Sequence, residues 1–285
     1  MNFDERTLTD AVLARMDGCK DARFVTIMTS LVRHLHDFVR EVELTEAEWM
    51  EGIRFLTATG QKCDDKRQEF ILLSDTLGDS MLVDAINHRF AKGVTETTVF
   101  GPFFVEGAPH VAQWADIRGG ARGAPCFVSG TVRDIDGAPV ADAVIDVWQS
   151  DGEEGFYDVQ KPGAEPYCRA KIHTDASGRF GFLTVKPISY PVPTDGPVGG
   201  MLLTMGRHPY RPAHIHTMIQ REGFAPLTTH LFVAGDKYLD SDAVFGVKDS
   251  LVVDFVTHPA GKAPDGSTMN EPFVTATYDF VLARA

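Results

Sequence analysis

The chain of 285 residues reads as an α+β protein, an N-terminal helical domain followed by an antiparallel β-sandwich. Three observations predict this. Up to about residue 96 the apolar residues recur at helical spacing, whereas beyond about residue 100 they gather into short β-branched runs. Turn signals punctuate those runs at Asp134-Ile-Asp-Gly137, Asp175-Ala-Ser-Gly178 and Ala234-Gly-Asp236. No helical pattern separates them, which argues for a sandwich rather than a parallel sheet. The predicted domains are 1–100, helical, and 101–285, the sandwich.

In order along the chain, Leu8, Val12 and Met16 form one helical stripe, and Phe24, Met28, Leu31, Leu35, Phe38 and Val42 a second. Thr45-Glu-Ala-Glu48 has the form of a capping box that opens a third helix with Trp49, Ile53 and Leu56 on its apolar face and Gly60 suited to its end. Further helices are expected through Phe70, Leu73 and Leu77, and around Met81–Ile86. His34 and His36 lie two apart on a helix, so their side chains diverge, and they read as structural. Strands are expected at Phe127–Val132, Ala143–Trp148, Phe180–Val185, Ala213–Ile219, Leu251–Phe255 and Phe273–Tyr278.

A formal charge of -13 disfavours a phosphate backbone as partner, so nucleic-acid binding is not expected. No run approaches 18 apolar residues and the acidic start lacks a signal-peptide pattern, which predicts no membrane insertion and a cytoplasmic protein. Cys19, Cys63, Cys126 and Cys168 are scattered without C-x-x-C spacing and read as reduced thiols.

Chemistry concentrates in Gly206-Arg-His-Pro-Tyr-Arg-Pro-Ala-His-Ile-His216. Positions i and i+2 of a strand face one side, so His214 and His216 can present two ring nitrogens to one transition metal, with Arg211 as a nearby fixed cation. Such a pair equally suits ordinary packed histidines, and a metal needs further donors. Tyr157 and Tyr190 stand in turn-rich segments, Gly155-Phe-Tyr-Asp-Val-Gln160 and Pro187-Ile-Ser-Tyr-Pro-Val-Pro-Thr-Asp-Gly196. A phenol titrates near ~10, so tyrosinate at neutral pH calls for a hard trivalent ion, of which Fe(III) is the natural candidate. Taken singly, either tyrosine reads as well as a packed aromatic with a hydrogen-bonded hydroxyl.

Together, Thr98-Val-Phe-Gly-Pro-Phe-Phe104, Asp146-Val-Trp-Gln-Ser-Asp151 with Tyr157-Asp-Val-Gln160, Tyr190-Pro-Val-Pro-Thr-Asp-Gly-Pro-Val-Gly199 and Arg207-His-Pro-Tyr-Arg-Pro-Ala-His-Ile-His216 resemble the intradiol ring-cleavage dioxygenases of the catechol 1,2-dioxygenase group. The resemblance spans nearly the whole chain and follows the family's motif order. It implies one non-haem Fe(III) per chain held by Tyr157, Tyr190, His214 and His216. It assigns Arg211 to charge stabilisation over the substrate ring, and Tyr190 to the ligand that is displaced and acts as base. Leu239-Asp-Ser-Asp-Ala-Val-Phe-Gly-Val-Lys248 and Leu72-Leu-Ser-Asp75 resemble the hydroxyquinol-cleaving branch. In that branch an acidic residue from the N-terminal half reaches the cavity, and Asp75 matches it. With Arg211, the further substrate-binding candidates are Leu72, Val99, Phe100, Gly101, Phe103, Val192, Pro193 and Val244, each of which equally suits ordinary core packing. Fourteen residues after His216, where the catechol branch commonly has Gln, stands His230, a residue behind the ligands whose role is open.

The implied reaction is cleavage of an aromatic diol or triol by O2, with hydroxyquinol giving 3-hydroxy-cis,cis-muconate (maleylacetate). The alternative is catechol giving cis,cis-muconate. A cupin-like metal site leaves the tyrosine motifs unexplained, and a non-catalytic β-sandwich binding protein is the remote reading. The resemblance further implies a homodimer joined through the N-terminal helices, sometimes with bound lipid.

Overall fold

The computed structural model describes residues 3–64, 67–161, 163 and 165–285. The chain forms two compact units, Met1–Ala58 and Thr59–Ala285.

Five helices come first: α1 (Leu8–Ala14), α2 (Ala22–Glu41), α3 (Glu46–Gln61), α4 (Glu69–Leu77) and α5 (Asp79–Asn87). Their boundaries follow local chemistry. Asp21 caps α2 by accepting from the Phe24 amide. The predicted box opens α3, with the Thr45 amide donating to Glu48 and the Glu48 amide to Thr45 Oγ1. Gly78, at φ 85°, turns the chain sharply between α4 and α5, a conformation costly for any residue with a Cβ. His36 accepts or donates to Thr9 Oγ1 at 3.0 Å, in keeping with a structural role.

The strands are β1 (His110–Val111), β2 (Pro125–Asp134), β3 (Val144–Trp148), β4 (Arg169–His173), β5 (Arg179–Val185), β6 (Tyr190–Pro191), β7 (Tyr210–Arg211), β8 (His214–Gln220), β9 (Leu227–Val233), β10 (Val252–Val253), β11 (Val256–His258), β12 (Gly261–Lys262), β13 (Thr268–Met269), β14 (Phe273–Thr277) and β15 (Phe280–Leu282). One sheet has the order β1-β4-β3-β8-β9-β10; the other runs β11-β14-β2-β15, with β5 also on β2. The inward residues of both sheets, among them Val128, Ile145, Val147, Ile172, Phe182, Ile215, Ile219, Leu231 and Phe280, share one core.

The pairings next to the predicted hairpins are antiparallel, but β14 and β15 run parallel to β2, and β1 and β10 parallel to β4 and β9. These are partners distant in sequence, whose direction the turn signals do not fix. A second difference is helix α6 (Pro197–Thr204) between β6 and β7, where the sequence predicted no helix inside the sandwich. Pro197 stands at its start, where a missing N–H costs nothing, and Val198 and Leu202 are buried. The expected Leu251–Phe255 strand shrinks to β10, because Leu251 closes a 3-10 turn from Asp249.

Period-two alternation decides where the site lies. Ile215 and Ile219 of β8 enter the core, so His214 and His216 take the opposite face of the same sheet. Cross-strand register then sets Trp148 of β3, His216 of β8 and His230 of β9 side by side on that face.

Candidate functional site

His214 and His216 are buried. His214 Nδ1 donates to the Pro212 carbonyl at 2.7 Å, which leaves Nε2 with a lone pair. That Nε2 stands 3.2 Å from His216 Nε2. His216 is held from three sides: Trp148 stacks on it at 4.8 Å and 12°, His230 Nε2 meets its Nδ1 at 2.8 Å, and Gly101 closes over the ring. A Cβ on Gly101, whose φ is +76°, would lie 2.9 Å from His216 Cε1, so only glycine fits that crossing.

Tyr157 comes from the segment between β3 and β4 and caps the 3-10 turn Asp158–Gln160 through reciprocal bonds with Gln160. Asp158 ties this turn to the sheet: both its oxygens accept from Arg169 of β4, at 3.0 and 2.6 Å. Arg169 in turn donates to the Phe103 carbonyl at 2.9 Å, and the Phe103 ring stacks on Tyr157 at 4.3 Å. Tyr190 arrives on β6, in register with Arg211 of β7. The two hydroxyls are 3.2 Å apart; Tyr157 Oη lies 3.1 Å from His216 Nε2, and Tyr190 Oη 3.4 Å from His214 Nε2.

Four sequence-predicted residues thus converge their donor atoms at separations of 3.1–3.4 Å. Ligands held ~2.0–2.2 Å from one ion stand about this far apart. As hydrogen bonds the same contacts are long, and two facing imine nitrogens give each other little. Burial, reinforced by the facing Tyr190 hydroxyl, raises the Tyr157 phenol well above its ordinary range; burial likewise raises Tyr190, against the pull of Arg211. Burial also holds His214 and His216 far below the usual imidazole value, with Arg211 beside His214 and His214 beside His216 adding to it. Both rings are therefore neutral, the state in which imidazole ligates metal. The chemistry and spacing of the donor set fit a metal.

His214, His216 and His230 also form a cluster capable of holding an ion. However, His230 faces Nδ1 of His216, the nitrogen opposite the one turned to the tyrosines. A shared ion at Nε2 is consistent with the two tyrosines and two histidines, with His230 behind them.

Beside the donors lies a cavity of about 210 Å³. Its wall includes Leu72, Asp75, Val99, Gly101, Phe103, Tyr190, Val192, Pro193, Arg211 and Val244. Phe100, expected on this wall, packs instead against Phe104 and Trp148 and is 43% exposed. Arg67, Gln68, Glu69, Ile71, Pro102 and Gln160 complete the lining without having been expected. Arg211 donates to Asp242 through Nε at 3.1 Å and Nη2 at 3.3 Å, while its Nη1 lies 3.3 Å from His214 Nε2. Burial opposes the Arg211 charge, but Asp242 with Tyr190 and Tyr157 together more than offset it, so the guanidinium is a permanent cation in the wall. Asp242 is itself fixed by the amides of Val244 and Gly246. Sequence reasoning missed Asp242, although the motif 239–248 that contains it had been singled out; an acidic residue there gave no sign of its partner.

The chain matches the family description Dioxygenase over residues 99–284 and Catechol dioxygenase N terminus over residues 21–95. It is 58% identical to a 6-chlorohydroxyquinol 1,2-dioxygenase of Cupriavidus pinatubonensis, over 91% of this chain and 94% of that one. It is 51% identical to a hydroxyquinol 1,2-dioxygenase of Rhodococcus opacus, over 98% and 94%. The solved structure of hydroxyquinol 1,2-dioxygenase from Pseudomonas putida superposes with a TM-score of 0.92 at 52% identity, covering 99% of both chains. Among the described residues no helix is long and apolar enough to cross a membrane.

Proposed function

This chain belongs to the intradiol ring-cleavage dioxygenase family, and from that premise we propose that it cleaves hydroxyquinol with O2 to 3-hydroxy-cis,cis-muconate (maleylacetate). The observation that carries the reading is the joining of two features: four convergent metal-type donors, and a cavity wall that sets the buried carboxyl Asp75 and the buried cation Arg211 beside them, apart from the Glu69–Arg67 pair on the same wall.

Tyr157, Tyr190, His214 and His216 hold one Fe(III) in this reading. Bound there, Fe(III) would supply Lewis acidity, keeping the phenols ionised at neutral pH and making an aromatic diol reactive towards O2. Tyr190 lines the cavity whereas Tyr157 does not, which supports Tyr190 as the ligand that leaves and takes a diol proton at Oη. Arg211 stabilises negative charge on the substrate; held by Asp242, its guanidinium needs no reorganisation as that charge grows. The apolar wall of Leu72, Val99, Val192, Pro193 and Val244 excludes water and positions the ring. Asp75 accepts from the third hydroxyl, and catechol leaves it without that partner, a loss of roughly 1–3 kcal/mol in a dry site. The N-terminal helices, in this reading, join two copies and provide an apolar seat for lipid.

Oxygen uptake with hydroxyquinol and catechol, corrected for autoxidation against His214→Ala and read beside iron content, tests the proposal. The native protein should prefer hydroxyquinol and hold about one iron per chain, and Asp75→Ala should narrow the preference roughly 5–150-fold. An unchanged ratio of kcat/KM values would remove Asp75 from the recognition of substrate. No enzyme-dependent uptake by iron-loaded protein would remove the activity itself.

A further inference from the structure

His216 can lend its Nε2 lone pair to a metal only if its proton sits on Nδ1. His214 meets the same requirement by donating to the Pro212 carbonyl, a group that can only accept. His216 has no carbonyl at that place. Its Nδ1 faces another imidazole, His230 Nε2, at 2.8 Å, and a neutral imidazole can serve there as donor or acceptor. The proton position on His216 is thus decided one residue further away.

His230 Nδ1 meets Thr98 Oγ1, and Thr98 Oγ1 in turn reaches the Val99 carbonyl at 3.4 Å. Thr98 is fixed beside β9 by its amide, which donates to the Thr228 carbonyl at 3.0 Å. Thr98, His230 and His216 are 3%, 0% and 1% exposed, so solvent cannot stand in for a missing partner. Two proton orders are open to this row. In the first, His216 Nδ1–H donates to His230, His230 Nδ1–H to Thr98, and the Thr98 hydroxyl to the Val99 carbonyl, which can only accept. In the second, each bond is reversed as far as Thr98, the Val99 carbonyl loses its donor, and the His216 proton stands on Nε2, in the way of a metal.

We propose that Thr98 and His230 are a positioning pair that sets the tautomer of His216, the Val99 carbonyl ending their row as the Pro212 carbonyl does for His214. Neither residue is on the cavity wall. The proposal rests on reading His216 as a ligand through Nε2, and it goes beyond that reading by naming what prepares the ligand before any ion arrives. Residues behind the ligands commonly orient them in this way.

Thr98→Val is the decisive variant, since it keeps the side-chain shape and removes the oxygen. With no acceptor at Nδ1, His230 should carry its proton on Nε2 and force the His216 proton onto Nε2 as well. Long-range 15N–1H correlation spectra of the metal-free, 15N-histidine-labelled protein read this directly: His216 should be the Nδ1–H form in the native chain and the Nε2–H form in Thr98→Val. Iron-loaded Thr98→Val should surrender its iron to a chelator at roughly 10–100-fold lower chelator concentration. A glutamine with its amide oxygen turned to His216 Nδ1 can only accept there, so His230→Gln, in that orientation, should restore the Nδ1–H form and iron retention to the Thr98→Val background. A merely structural role for Thr98 predicts no such rescue. If Thr98→Val does not fold, His230→Gln against His230→Leu gives the same contrast, with retention in the first and loss in the second.

An unchanged His216 tautomer in Thr98→Val, or a double variant that loses iron as readily as the single one, would overturn the positioning pair. Native protein that takes up no iron would instead overturn the ligand reading, and leaves the spectra of the metal-free protein to judge the pair separately.

Discussion

Asp75 is a carboxyl 6% exposed on α4, and its charge is costly there. Burial raises its pKa above the ordinary 3.8; Ser80 and the Arg211 charge act against that rise, and Asp242 adds to it. The native state therefore binds the Asp75 proton more tightly than the unfolded chain does. Between 3.8 and the raised native value stability falls as pH rises, and above that value the full cost is present. Asp75→Asn removes the charge and keeps the shape, so it should raise the melting temperature at pH 8. The gain should fade as pH falls through the raised value towards 3.8, which melting curves across pH will show. A buried carboxyl on a cavity wall that costs stability fits the recognition role proposed for Asp75. The residues that speak most clearly in the sequence are of this kind, with chemistry in their own side chains: Tyr157, Tyr190, His214, His216, Arg211 and Asp75. Thr98 and Asp242 were not legible, because their part depends on a partner 132 or 31 positions away that only folding brings near.

At the scale of elements, strand periodicity was enough to place His214 and His216 on one face, since β8 follows the predicted run to within a residue. Tyr157 is a different case. Among the described residues its segment has no regular secondary structure beyond a three-residue turn, and the turn keeps its place through the buried Asp158–Arg169 pair, with side chains 7% and 4% exposed. Arg169→Met leaves the Asp158 carboxylate buried without its cation and the Phe103 carbonyl without its donor. Loss of one partner of a buried pair costs about 3–5 kcal/mol. Chemical denaturation should show a loss of that order, and the tyrosinate colour of iron-loaded protein should weaken because Tyr157 is no longer held against His216. Helix α6 escaped the sequence reading for a related reason. Its glycines at 199 and 200 interrupt a helical pattern, yet Gly199 is needed, since a Cβ there would meet the Thr194 backbone at 2.3 Å.

For the whole molecule, the change from helices to strands was legible from the periods, although the compact units divide at Ala58/Thr59 rather than near residue 100, and what covers the helices was not legible. Helix α2 has no buried residue. Phe24, Ile27, Leu31, Leu35, Phe38 and Val42 are each 48–54% exposed, and Trp49, Ile53 and Leu56 of α3 are exposed as well. Side chains at three- and four-residue spacing form an apolar stripe, and exposed patches of that kind are commonly interaction surfaces. Completing the burial of each half-exposed residue is worth roughly 1 kcal/mol, enough in sum to offset part of the entropy lost when two copies associate. Light scattering should therefore give a dimer for the native chain. Leu31→Glu with Leu35→Glu sets charges two turns into the stripe, and should halve the mass while the circular dichroism stays helical. The four residues proposed to hold iron lie within Thr59–Ala285, so the monomeric variant should keep the metal content and ring-cleaving activity of the native chain. A native chain that already scatters as a monomer would refute the dimer; a dimer that persists in the double variant would move the interface off α2, and extraction of bound lipid from the purified protein would then show whether lipid covers the stripe instead.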